Sequence, residues 1–79
     1  MIIGNVINID KEILGGTPVF NGTRVPIQSL FWHLEKGISI DEFLEDFPSV
    51  QKQQVYDLLH LVALTFDSNQ TAKMYEAVA

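Results

Sequence analysis

The stretch "VFNGTRVPIQSLFWHLEKG", Val19 to Gly37, reads as a tight hairpin running straight into a helix. Asn21 and Gly22 stand between two β-prone runs, Val19-Phe20 on one side and Thr23-Arg24-Val25 on the other. Asn-Gly tolerates positive φ at both central positions of a type I′ turn, so this pair predicts a two-residue hairpin loop. Pro18 and Pro26 bracket it; each lacks an amide donor, which keeps both strands short and edge-like. Pro26 also suits the entry to a helix, where its missing N–H costs nothing. Ile27, Leu30, Phe31 and Leu34 follow at helical spacing, predicting a first helix from Ile27 to Lys36. Gly37 then falls where a left-handed cap residue is needed.

Working outward toward the C-terminus, Ser39 with Glu42 three residues on has the pattern of a capping box, and Ile38 is placed to staple onto Phe43. A second helix is expected over Ile40 to Asp46, ended by Pro48. Ser49 can cap a longer third helix, on which Val55, Leu58, Leu59, Val62 and Phe66 form one apolar stripe. Toward the N-terminus, Asn5 to Ile9 alternates polar and apolar residues, with Ile7 and Ile9 sharing a face, and reads as a short edge strand. Gly15 and Gly16 permit a sharp bend after Leu14. The expected fold is therefore mainly α: a three-helix helix-turn-helix domain over residues 1–66 behind a short β-hairpin, then a tail or short helix over residues 67–79.

Composition bounds the function. A chain of 79 residues holds one small domain, and at this size only about 60% of the unfolded surface is buried, which favours oligomerisation. Apolar content of 47% with 19% charged residues is that of a packed domain. With no cysteine, a disulfide framework and thiolate metal sites are excluded, in keeping with a reducing compartment. No basic start followed by an apolar run is visible at Met1, and no stretch approaches the roughly eighteen apolar residues of a membrane span. The expectation is a soluble, cytoplasmic chain with no membrane partner. Ten acids against five bases give a net charge of −5, which opposes nonspecific attraction to nucleic acid.

The run from Ile13 to Val62, with its Gly-Gly-Thr-Pro-Val at residues 15–19, Gly-Thr-Arg-Val-Pro at 22–26 and Glu-Asp-Phe-Pro at 45–48, resembles the bacterial domain of unknown function 433 family. The resemblance implies a homeodomain-like trihelical fold and pairing with PIN-like ribonuclease toxins in type II toxin–antitoxin operons. It brings no catalytic residue and no cofactor.

The glycines of the Gly15–Ile27 loop do not make a phosphate cradle, because neither the Gly-Lys-Ser/Thr of a P-loop nor three spaced glycines between strand and helix are present. Arg24 has two uses open to it: pairing with an acid of its own domain, or reaching a phosphate or a partner's carboxylate. At about 100° per residue, the third helix sets Lys52, Gln53, Tyr56 and His60 opposite its apolar stripe. In helix-turn-helix proteins the start of this helix enters the major groove, so Arg24, Ser49, Gln51, Lys52, Gln53 and Tyr56 are the candidate DNA contacts; a merely hydrophilic helix face is the alternative. Asp41, Glu42, Glu45 and Asp46 on the second helix speak against DNA, since that helix would cross the phosphate backbone.

Leu61 and Leu64 lie outside the stripe of the third helix and leave it apolar on more than one side. Two copies packed through these residues as a C2 dimer is the favoured arrangement; a C-terminal segment folding back is the other. Trp32, Phe31, Phe43 and Phe47 are read as core aromatics. His33 and His60 fit no metal-ligand pattern, and Asp57 with His60 has no neighbouring nucleophile, so neither a metal site nor catalysis is expected. The chain is expected to be a non-catalytic antitoxin-like subunit, with a stand-alone DNA-binding regulator or an interaction module without DNA contact as alternatives.

Overall fold

A computed structural model of the protein describes residues 1–66; the tail or short helix expected over residues 67–79 lies outside the described residues. Three helices, α1 (Ile27–Glu35), α2 (Ile40–Asp46) and α3 (Lys52–Leu64), follow three two-residue strands, β1 (Ile2–Ile3), β2 (Ile7–Asn8) and β3 (Val19–Phe20). The strands form one antiparallel sheet in the order β1-β2-β3, with Ile3 opposite Ile7, and Ile7 opposite Phe20.

Two sheet expectations need correction. The segment Asn5 to Ile9 is not an edge strand. Gly4 and Asn5, with φ of +57° and +58°, make the tight turn of a hairpin closed by the Val6 amide on the Ile3 carbonyl at 3.1 Å, so β2 is the central strand. Positive φ at both central residues is the type I′ signature, and it falls at Gly4-Asn5 instead of Asn21-Gly22. In the latter pair only Gly22 is left-handed, at +81°, which is the demand of a type II turn; the Thr23 amide closes it on the Phe20 carbonyl at 3.0 Å. Thr23 to Val25 do not form a strand. Pro26 makes a single bridge to Val19, held by Phe20 N–H to Val25 O and Ile27 N–H to Pro18 O, each 2.9 Å. Val6, between the turn and β2, is 2% exposed and points into the core, whereas Ile7 and Ile9 are only half-buried.

The helices follow their signals closely. Beyond α1 the Ile38 amide bonds the His33 carbonyl at 2.9 Å and the Gly37 amide bonds Leu34 at 3.0 Å, the paired bonds of a Schellman cap with Gly37 left-handed at φ +77°. Ser39 Oγ accepts the Glu42 amide at 3.1 Å at the start of α2. On α3 the cap is Gln51 and not Ser49: the Gln51 amide donates to Gln54 Oε1 at 2.9 Å, the returning half of a capping box.

The core gathers Val6, Phe20, Leu30, Phe43, Val50, Val55 and Leu58, contributed by both the sheet segment and all three helices. Full burial of each such side chain stabilises by roughly 1.5–3 kcal/mol, so the sheet is part of the domain's stability and not an appendage. Phe43 centres an aromatic cluster, with ring centroids 6.0 Å from Phe20 and 5.0 Å from Phe47. His33 stands edge-on to Phe43 at 5.2 Å, its Nδ1 2.7 Å from the Ser29 carbonyl and its Nε2 3.4 Å from Asp46 Oδ2, which ties α1 to α2. Among the described residues every buried side-chain polar atom has a partner. Trp32 and Phe66 depart from expectation. Trp32 is 53% exposed and Phe66, past the end of α3, is 59% exposed, so neither belongs to the core.

Candidate functional site

The sequence candidates divide between two places. Arg24 and Ser49 line an open cleft of about 690 Å³ together with Asn8, Ile13, Asn21, Gly22, Thr23 and Val25. Gln51, Lys52, Gln53 and Tyr56 sit apart from it, exposed at the start of α3.

The cleft is built by the Gly22-Thr23-Arg24-Val25 run. Thr23 is 9% exposed, its Oγ1 donating to the Phe20 carbonyl at 2.8 Å and accepting the Val25 amide at 3.0 Å. Val25 is buried on the other side of Arg24. With both neighbours turned inward, the Arg24 side chain is directed to solvent, and among the described residues no carboxylate pairs with it. Of the two uses open to Arg24 from its sequence, internal pairing is not formed within the described residues. Gln54, absent from the candidates, reaches across from α3: its Nε2 donates to the Asn21 carbonyl at 2.9 Å, fixing the turn that leads to Arg24. Gln54 is half-buried one turn before buried Leu58, on the same side of α3, but its partner lies 33 residues away and no local pattern signals it.

On the α3 face the polar groups are already engaged. Lys52 Nζ lies 3.5 Å from Asp41 Oδ1 on α2 and 5.9 Å from the centre of the Tyr56 ring. The Asp41 charge, and secondarily Tyr56, holds the Lys52 ammonium above its ordinary value of 10.5. Gln53 Nε2 donates to Asp57 Oδ1 at 2.8 Å. Side chains so occupied are not pre-set for base edges, which need donors aimed outward in pairs. Lys52, Gln53, Tyr56 and His60 are all exposed, as their spacing predicts.

The two leucines assigned to a dimer interface have different surroundings. Leu61 is half-buried and packs against the core, close to the β1–β2 turn; a Cβ placed on Gly4 would stand 2.9 Å from its Cδ1. Leu64, one turn on, is 52% exposed. Further apolar side chains are exposed in β1, where Ile2 is at 55%. No helix among the described residues is long and apolar enough to cross a membrane, and these residues hold no cluster of His, Asp or Glu able to bind a metal ion.

The geometry is that of a small three-helix domain carrying an N-terminal antiparallel sheet and an arginine cleft. The chain belongs to the family described as "Protein of unknown function (DUF433)", which matches it over residues 7–61. It is also similar to the uncharacterized protein y4eO of Sinorhizobium fredii (strain NBRC 101917 / NGR234), 36% identical over 50 residues. That alignment covers 63% of this chain but 23% of the relative, so most of the relative lies outside the match. No solved structure matches the chain.

Proposed function

We propose that the domain is a non-catalytic, cytoplasmic binding subunit, the antitoxin-like half of a type II toxin–antitoxin pair, which inhibits a PIN-like ribonuclease by covering it. The observation that supports this reading is the exposure of Trp32 at 53%, with Leu64 and Phe66 above half, on a domain whose core is already filled by other residues. An exposed tryptophan that the fold does not need is the side chain most enriched among the energetic anchors of protein interfaces. Leu64 and Phe66 supply the apolar surface through which two copies would pair. The identity of the toxin comes from the family resemblance, and inhibition requires only steric occlusion in a stoichiometric complex.

Contact with operator DNA is the subsidiary reading, in which the helices act as a homeodomain-like helix-turn-helix. The exposed row of Gln51, Lys52, Gln53 and Tyr56 at the start of α3 supports it. Net charge of −5 and the pairing of Lys52 with Asp41 rank it second.

Purification of the tagged chain from its native host, with mass spectrometry of what accompanies it, tests the first reading. A ribonuclease-like protein in fixed ratio is expected. Recovery of a free homodimer alone would contradict it.

A further inference from the structure

The Gly22-Thr23-Arg24-Val25 segment is more rigid than an exposed loop requires. Phe20 N–H to Val25 O closes it from one side at 2.9 Å, the Thr23 hydroxyl ties it internally, and Gln54 holds Asn21 from α3. All three restraints flank Arg24, which is itself exposed and contributes nothing to the core. Arg24 is the sole arginine of the chain and meets no carboxylate among the described residues, although acids outnumber bases two to one. Asn8, Asn21 and Ser49 also line the cleft, and Ile13 and Val25 add apolar lining.

We propose that this cleft anchors one acidic side chain, aspartate or glutamate, carried on a segment of a protein partner. A planar guanidinium is suited to grip a carboxylate through two parallel hydrogen bonds, and the hydrogen-bonded backbone on either side of Arg24 removes the main-chain part of the ordering cost of doing so. Hydroxyl and amide groups around it supply further donors. The cleft is open to solvent. The chain carries a net charge of −5. That excess opposes a polyphosphate backbone, which brings many negative charges to the surface, more than it opposes a single carboxylate. This inference rests on the protein-binding reading above but not on the partner being a ribonuclease.

The test is an amide and guanidinium NMR titration of the intact chain with a capped pentapeptide, Gly-Ala-Glu-Ala-Gly, against its Gln counterpart and a short DNA duplex. Expected are shifts confined to Gly22–Val25, Asn8 and Ser49 with the Glu peptide, and none with the Gln peptide. Arg24→Gln should weaken the effect by about tenfold or more, with Arg24→Lys intermediate, because lysine keeps the charge but loses the fork. Unchanged shifts of Val55 and Leu58 show that the variants are folded. No response at the cleft, an equal response in Arg24→Gln, or preferential binding of the duplex would overturn the proposal. A ribonuclease recovered from the host while the peptide fails would sink this inference alone.

Discussion

Gln54 Nε2 donates to the Asn21 carbonyl across 2.9 Å and a sequence separation of 33, joining the first turn of α3 to the turn that presents Arg24. The same side chain receives the Gln51 amide through its Oε1, so one residue caps the helix and fixes the loop. Gln54→Ala removes both bonds and leaves a part-buried carbonyl unpartnered. The expected cost is about 1–2 kcal/mol, or a thermal midpoint lower by roughly 4–8 °C per kcal/mol in a domain of this size. Hydrogen exchange should quicken at the amides of Thr23 and Val25 more than at Leu30, which lies away from the bond.

Gly4 holds a left-handed φ of +57° and faces Leu61, whose Cδ1 would be 2.9 Å from an added Cβ. Gly4→Ala therefore costs about 1 kcal/mol for the backbone alone, and more for displacing the leucine. Gly22→Ala, at φ +81° with open space around it, carries only the backbone part. In the double variant Gly4→Ala/Leu61→Ala the steric part disappears. Chemical denaturation of the four proteins of this cycle should show the double variant to be more stable than the sum of single effects predicts, by about 0.5 kcal/mol or more.

The helices were legible because their signals are local. Pro26 and Gly37 bound α1, and Ser39 with Glu42 starts α2 at the expected residues. The sheet was less legible, since Gly4-Asn5 and Asn21-Gly22 carry the same turn-forming residue types and only partner strands decide which closes a hairpin. Pro26 cannot donate to β3, which confines that pairing to one bridge. Trp32 and Phe31 both read as core aromatics by residue type, but adjacent helix positions point about 100° apart and only one of them can face the core squarely. Gln54 escaped notice among the candidates because its role depends on a carbonyl far away in the chain, which no helical periodicity reveals.

Trp32→Ala separates interaction from folding. With the residue 53% exposed and the rest of it covered, stability by thermal denaturation should fall by no more than about 1–2 kcal/mol. Affinity for the partner, measured by calorimetry, should fall by about tenfold or more if the ring anchors the interface. A large loss of stability with unchanged affinity would assign Trp32 to packing instead.

Lys52 gives a prediction about pH with a definite sign. Its folded-state value lies above the ordinary 10.5 because of Asp41, so whatever the pair contributes is fully present below the unfolded value and lost as pH rises through the raised one. Around neutrality, thermal midpoints of the parent and of Lys52→Ala should differ little and in parallel, as for exposed ion pairs generally. On the alkaline side the difference should vanish once pH passes the raised Lys52 value. If operator DNA is bound through this face, Lys52→Ala will also reduce the salt dependence of that binding.

The proposed inhibition by stoichiometric coverage is tested most directly by titrating this chain into the ribonuclease-like protein that the proposal expects to co-purify with it, and following cleavage of an RNA substrate. Cleavage should fall linearly and cease at one equivalent, and the Trp32→Ala chain should require a marked excess. Cleavage that continues undiminished at several equivalents of the intact chain would contradict the account.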